Sequence, residues 1–561
     1  MRITPRRLLA ALSLLLTLLA CSDPGGGSTS DATSAYHGVW VSEDEPGTLM
    51  VIELLPYDPY LPVLAGHRPV YRIWQIPDGG EPAWIQYGTF SIRDGGIEWT
   101  AYRSTRVGDR TYSPYFNHLY DVDLDAGTMA MESSVMPDGR RNLVRVSAFP
   151  GGSWTEGVPP HGDLTEPSAR SPLVEDPAKT LDVYHAALFR TDEDEAAAVR
   201  AATFYPDMLS FSTMIDAHLS RDRGRSWVQD TTSGVGNYGS SLAIFKDQAH
   251  GRPLIYPQDS MSEYLFLWNH ELGGWEKDID IQICRPAAGF PDQDLVLTAW
   301  HALAYTLCIA DPEVVYVHRR RLDLNSFQIQ YLQGPVVQVR AQWQQDEGPR
   351  GTLYGLVRTG GQAPAFRLYR HQEDDALEFG PEQLSSPVAE LAADCGAFAC
   401  EITEIWKYFI SGGEHHILAL ASFDGPPRPH PLAPEPRLAV HYHGTPGDGF
   451  TAEVLNVATT DAGPVYLGDL ADFDLPADGQ GWTFDPFVVL QDRACVRVLR
   501  RTAAGAWEDA GVVPTAHRPD PGATVLWGDR LGLISATPQL DYLEFPLSTD
   551  AARCPAPRPL P

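Results

Sequence analysis

The chain has 561 residues, with 42 Lys and Arg against 73 Asp and Glu, for a formal net charge of −31 at pH 7. A surface this acidic repels phosphate backbones and anionic lipid headgroups, which argues against nucleic acid as a partner. At roughly 150 residues per domain the length calls for two or more domains. The 47 prolines, 49 glycines, 14 Trp, 23 Tyr and 20 Phe point to turns and strands rather than long helices.

Arg2, Arg6 and Arg7 precede a largely apolar run from Leu8 to Ala20, and Cys21 follows directly. A positive start, a short apolar core and a terminal small residue make residues 1–20 a secretory signal. The run falls short of the roughly 20 apolar residues that span a bilayer. Leu18-Leu19-Ala20-Cys21 resembles the lipobox of bacterial lipoproteins. That resemblance implies cleavage before Cys21 and attachment of a diacylglyceryl group to it. Ser22 in the next position is similar to outer-membrane-directed lipoproteins. Residues 21–35 are small and polar, a flexible tether with a reach on the order of 20 Å. The expected location is the cell envelope, on its periplasmic or surface side, with the lipid as the only membrane contact.

Six further cysteines, Cys284, Cys308, Cys395, Cys400, Cys495 and Cys554, suit an oxidising compartment and up to three disulfides. The connectivity is open. Pairing of neighbours gives Cys284–Cys308, Cys395–Cys400 and Cys495–Cys554, the last of which ties down a proline-rich C-terminus.

Residues 36–150 read as a small all-β domain, barrel or sandwich. Val39 to Val41, Thr48 to Leu54 and Val70 to Ile76 are rich in strand formers. Hairpins turn at Asp94-Gly95-Gly96, Asp125-Ala126-Gly127 and Pro137-Asp138-Gly139. The opening Gly38-Val39-Trp40 with successive hairpins resembles lipocalin-like barrels. Residues 151–173 are rich in Pro, Gly and Ser and read as a linker. A second all-β region spans 174–550, with one helical signal at Asp192 to Thr203, where acids lead an alanine-rich stretch. Residues 551–561 form a tail.

Within the second region, Ser220, Asp222, Gly224 and Trp227 fill the pattern Ser-x-Asp-x-Gly-x-x-Trp. This resembles the Asp-box, the repeat of sialidase-like β-propellers. Ser and Asp can accept from backbone amides of a tight turn, Gly can take positive φ, and Trp buries a large ring. Weaker copies run Leu267 to Trp275, Arg321 to Phe327, Arg370 to Glu378, Gly444 to Phe450 and Arg501 to Trp507. Trp227 and Trp275 are 48 residues apart, and Trp275 and Phe327 are 52. Strand-rich periods of about 40–50 residues indicate a propeller. The copies count about six blades, five or seven also fitting the irregular spacing, with an insertion near Asp394 to Phe450.

The resemblance carries no catalytic residues over, because the arginine cluster, Tyr–Glu pair and acid/base of sialidases match no positions here. Arg72-Ile73-Trp74 resembles the sialidase Arg-Ile-Pro motif only superficially. His318-Arg319-Arg320-Arg321 reads as a solvated strand end. Two acid-rich segments have calcium-loop character, one at Asp121, Asp123, Asp125 and Glu132, the other at Asp469, Asp472, Asp474 and Asp478. Glu414-His415-His416 and His441-Tyr442-His443 each offer imidazoles to zinc, but neither supplies a third ligand, so packed or exposed histidines are the expectation. No metal or cofactor is therefore assigned. The expected fold is all-β, a small barrel or sandwich followed by a propeller of about six blades. The expected function is non-enzymatic binding or scaffolding toward a glycan or protein, the alternative being a glycoside hydrolase or polysaccharide lyase.

Overall fold

A computed structural model of the chain describes residues between Thr33 and Leu560. The longest stretches outside the description are 1–32, 57–68, 105–113, 150–163, 230–241, 281–292, 373–382 and 475–485. Cys21, residues 22–32 of the tether, Cys284 and Asp478 therefore lie outside the described residues, while Thr33, at the tether's end, is buried and accepts the Tyr36 N–H at 3.0 Å. The protein is all-β and forms two compact units that divide near Ser153.

The first unit is a closed eight-stranded barrel. Its strands are β1 (Gly38–Glu45), β2 (Thr48–Leu55), β3 (Val70–Pro77), β4 (Ala83–Arg93), β5 (Gly96–Ser104), β6 (Pro114–Asp123), β7 (Thr128–Ser133) and β8 (Arg140–Val146). Each pairs antiparallel with the next, and β1 pairs with β8 through Val39 and Val146. Alternation along the strands sends Trp40, Met50, Ile52, Leu54, Tyr71, Ile73, Ile97 and Trp99 into one buried cluster. Gly95, at φ +76°, makes the β4–β5 turn. In the β6–β7 turn the Asp123 carboxylate accepts the Ala126 N–H at 2.9 Å. On the other face of β2 and β3, Glu53 accepts from the Trp74 indole at 2.8 Å and pairs with Arg72 at 3.4 Å, all three buried. Arg72 is thus held as a structural counter-ion.

The second unit is propeller-like. Among the described residues seven sheets, antiparallel apart from Gln383–Leu384, which pairs parallel with the fourth strand of the third, span 180–229, 242–280, 293–332, 336–392, 400–454, 469–514 and 519–546. First strands of successive sheets lie side by side: Gln293–Leu297 by Val336–Gln345, Val336–Gln345 by Cys400–Ser411, and Asp469–Asp474 by Pro519–Trp527. Pro519–Trp527 in turn lies by Thr180–Arg190, which brings the last sheet to the first. Adjacent sheets share apolar cores, fourth with fifth, fifth with sixth, sixth with seventh and seventh with first. A small three-stranded sheet joins Val457–Thr460 and Gly463–Tyr466 to Arg558–Pro559.

Seven sheets, against about six turn copies in the sequence, have a topological reason. The copies at Ser220 to Trp227 and Gly444 to Phe450 sit where the third strand of a sheet turns into its fourth, and Arg501 to Trp507 joins the same two strands of the sixth sheet. The seventh sheet has no such turn, because its fourth strand is β9 (Ala169–Pro172), supplied from far upstream. Residues read as the end of a linker are therefore part of the ring. The sheet at 400–454 has four antiparallel strands, with register shifts at Ile402/Glu404 and Ile405/Lys407, and its longest connection joins its second and third strands.

Asp192 to Thr203 is not helical. Ala196–Asp207 is the second strand of the first sheet, paired on both sides. Ala196 and Ala198 are buried against Ala523, Val525 and Trp527 of the seventh sheet, where only small side chains let the two sheets approach. Helix propensity is a weak preference that such packing overrides.

The Ser220–Trp227 turn sits at this closing seam. Ser220 Oγ accepts the Gly224 N–H at 2.7 Å, and Asp222 accepts the Ser226 N–H at 2.9 Å. The Trp227 indole donates to the Gly224 carbonyl at 3.0 Å. Its ring lies 5.6 Å from that of Tyr542 in the seventh sheet. Gly224 has φ +83°, and a Cβ there would meet the Tyr542 ring at 2.3 Å. Ser171 of β9 donates to the Arg225 carbonyl at 2.6 Å. Gly224→Ala is expected to cost about 1–3 kcal/mol from overpacking alone, read as a lower midpoint in urea unfolding; an unchanged midpoint would contradict this seam.

Candidate functional site

The fifth sheet concentrates the buried titratable groups that the apolar cores do not explain. Its strands are Cys400–Ser411, Glu414–Phe423, Arg437–Thr445 and Gly449–Val454. His415 and His416 are neighbours on the second strand and so point to opposite faces. His441 and His443 alternate with Tyr442 on the third and share a face. In the register His416 faces His443 and Leu418 faces His441, which puts His416, His441 and His443 together on the side of the sixth sheet.

His416 and His441 are buried, and His416 Nδ1 lies 3.1 Å from His441 Nε2. Their rings are nearly parallel at 14°, 5.3 Å apart. Phe409 stacks on His416 at 4.8 Å, while Phe473 and Trp507 of the sixth sheet stand 6.3 and 6.1 Å from His441. Nδ1 of His441 has no hydrogen-bond partner. His443, partly exposed, lies 5.3 Å from His441, with Glu414 3.9 Å from its Nδ1. His415 faces the fourth sheet, with Nδ1 2.8 Å from the Tyr408 hydroxyl and Tyr354 edge-on at 4.6 Å.

Burial holds these imidazoles neutral. Loss of hydration pushes His416 down to about 3 and His441 to about 2, and Arg501 and the neighbouring imidazoles push the same way. Burial pushes His415 down to about 4. Glu453, half-buried beside His443 and Arg501, is raised by burial against the pull of those two.

The two histidine motifs read separately in the sequence are thus one cluster. Strand register brings them together, and no single segment reveals it. Among the described residues no group of three or more His, Cys, Asp or Glu is arranged to hold a metal ion. The acid-rich segments are taken up in other bonding. Asp121 pairs with Arg140 and Asp123 caps its turn. Asp469 accepts from the Arg437 N–H at 2.9 Å and from the Tyr466 hydroxyl. Asp472 is fully buried and accepts from the N–H groups of Phe473 (2.7 Å), Gly522 (2.9 Å) and Thr524 (3.1 Å) and from the Thr524 hydroxyl, so it staples the sixth sheet to the seventh. His318 to Arg321 close the third strand of the third sheet.

Two of the neighbour pairings exist. Cys395–Cys400 bridges the approach to the fifth sheet, and Cys495–Cys554 pins the tail to the sixth. These bonds belong to an extracellular or periplasmic protein. Cys284 is outside the description, so its pairing with Cys308 is too. Among the described residues no helix is long and apolar enough to cross a membrane.

No family model matches the chain, and no curated protein matches it. Solved structures match the chain only at low likeness. The Kuenenia stuttgartiensis hydrazine synthase is 11% identical at TM-score 0.35, over 70% of this chain and 99% of that one. The SapL1 lectin, in complex with alpha methyl fucoside, is 10% identical at 0.31, over 60% and 98%. An alpha-L-arabinofuranosidase from Clostridium thermocellum is 10% identical at 0.27, over 61% and 97%. Likeness of this size says nothing about activity or ligand.

The two disulfides close loops of different length, with sequence separations of 59 and 5. Chain entropy makes the longer one worth about 4 kcal/mol and the shorter about 2. Replacing Cys495 and Cys554 by Ala is expected to lower the urea midpoint more than replacing Cys395 and Cys400, with both variants compared under identical buffer.

Proposed function

We propose that this chain is an envelope lipoprotein, anchored through Cys21, whose propeller-like unit binds a glycan or protein ligand without turning it over. The observation that supports binding over catalysis is the fate of the four carboxylates buried among the described residues, one in the barrel and three in the propeller-like unit. Glu53 is taken by Trp74 and Arg72, Asp472 by Gly522 and Thr524, and Asp541 by Arg170. Glu544 pairs with Arg530 at 2.6 Å. A hydrolase of glycosides needs two carboxyl groups facing substrate, about 5–10 Å apart. Each of these four instead serves the fold. The Ser220–Trp227 turn supports kinship with Asp-box propellers through its own hydrogen bonds. The reading calls on no metal, cofactor or nucleic acid.

Two measurements test it. Cys21→Ala is expected to move the protein from the membrane to the soluble fraction of fractionated cells; persistence in the membrane would remove the anchor. The mature protein on a glycan array is expected to retain ligand and release no shortened sugar. Release of cleaved product would favour the glycosidase or lyase alternative.

A further inference from the structure

His416 and His441 occupy the seam between the fifth and sixth sheets as a neutral pair sharing one N–H···N bond. Two neutral rings carry one N–H each, and one of the two is spent in the bond between the rings. We propose that this seam is an acid-opened latch, closed while the two imidazoles are neutral and released when protons can be taken up only by the rings leaving their pocket.

Around the pair, His416 has a backbone acceptor at Ser411, while His441 offers an added proton no hydrogen-bond partner. On their own strands stand His415, which faces the other way, and His443 with Glu414 at the seam's edge. From the first strand of the sheet, Lys407 reaches across to donate to the Phe473 carbonyl and adds positive charge. From the sixth sheet, Arg501 contributes another cation, its Nε held by the Gly505 carbonyl. Asp472, the buried carboxylate of that sheet, is filled by bonds to Phe473, Gly522 and Thr524. Glu453 on the fourth strand faces His441 across the ladder; it is half-buried beside His443 and Arg501, and burial favours its uncharged form. The vacant site is Nδ1 of His441, completely buried and without a partner. A cation there would lie against Phe473 and Trp507 with nothing to accept its proton.

Proton uptake therefore needs the strand ends to move. His415 projects from the same end of the second strand toward the fourth sheet, so displacement that frees His416 also frees His415. In the closed seam His416 and His441 bind protons only below about 3 and 2, whereas freed rings bind near 6.5. The open form thus holds more protons over the window between, and the closed form is favoured above about pH 6.5 and loses ground as pH falls. From pH 7 to pH 5 the opening equilibrium rises about 25-fold per imidazole, or roughly 600-fold for the pair.

Hydrogen exchange of the intact mature protein at pH 7 and pH 5, corrected for intrinsic rates, reads this directly. Opening in 414–423 and 437–445 is expected to increase on the order of hundredfold more than in 530–546 of the seventh sheet. The double variant His416→Phe, His441→Leu is expected to lose most of that selective rise while keeping native near-ultraviolet dichroism at pH 7. Equal loss of protection in all sheets, or none in 414–423, overturns the latch. So does a folded variant with the wild-type pH response. If the variant does not fold, the wild-type exchange map alone decides.

Discussion

Four residues complete the sheet at which the last blade of the propeller-like unit meets the first. β9 completes the seventh sheet by pairing Ser171 with Tyr542 and Arg170 with Leu543, far apart in sequence. The same seam gathers the Tyr542 ring, the close-approaching Gly224 and the hydroxyl of Ser171 on the Arg225 carbonyl. Each sheet of such a ring buries its faces only against its neighbours. Without the closing strand the first and seventh sheets would each present an apolar face to water, among them Leu188, Ala196, Val525 and Ile534. The turn between Ser220 and Trp227 lies on this join, which gives its complete pattern a local physical reason. Its glycine must let a tyrosine of the partner sheet come close.

The seams differ in how they treat buried polarity. Between the sixth and seventh sheets, Asp472 is surrounded by donors from both, so its burial is compensated and the two sheets are cross-linked. Between the fifth and sixth, imidazoles are packed among aromatic rings and one nitrogen is left over. A satisfied buried group rigidifies its surroundings, and a partly satisfied one makes them conditional. In the barrel, Glu53 follows the first pattern, since Arg72 and Trp74 both approach it.

Fold class was legible because it rests on local signals. Glycine turns such as Gly95 and Gly127, and alternation such as Met50, Ile52 and Leu54, can be read within a few residues. Ring closure was not, because nothing in Ala169-Arg170-Ser171-Pro172 tells that its partner lies beyond residue 540. The alanine-rich stretch after Asp192 misled for a related reason: small side chains raise helix propensity and also let two sheets approach. At the histidine cluster the residues were visible as two motifs, but their union depends on His416 facing His443 across a register that no single strand encodes.

The distant origin of β9 also orders events in time. Emerging from the ribosome or an export channel, β9 comes out before any blade and waits for a partner that lies close to the C-terminus. Contacts between segments so far apart in sequence are slow to form. Cys495 likewise waits for Cys554, only seven residues from the end of the chain. A chain cut short before residue 541 keeps Pro519–Trp527 to pack on Thr180–Arg190 but lacks the strand that β9 pairs with.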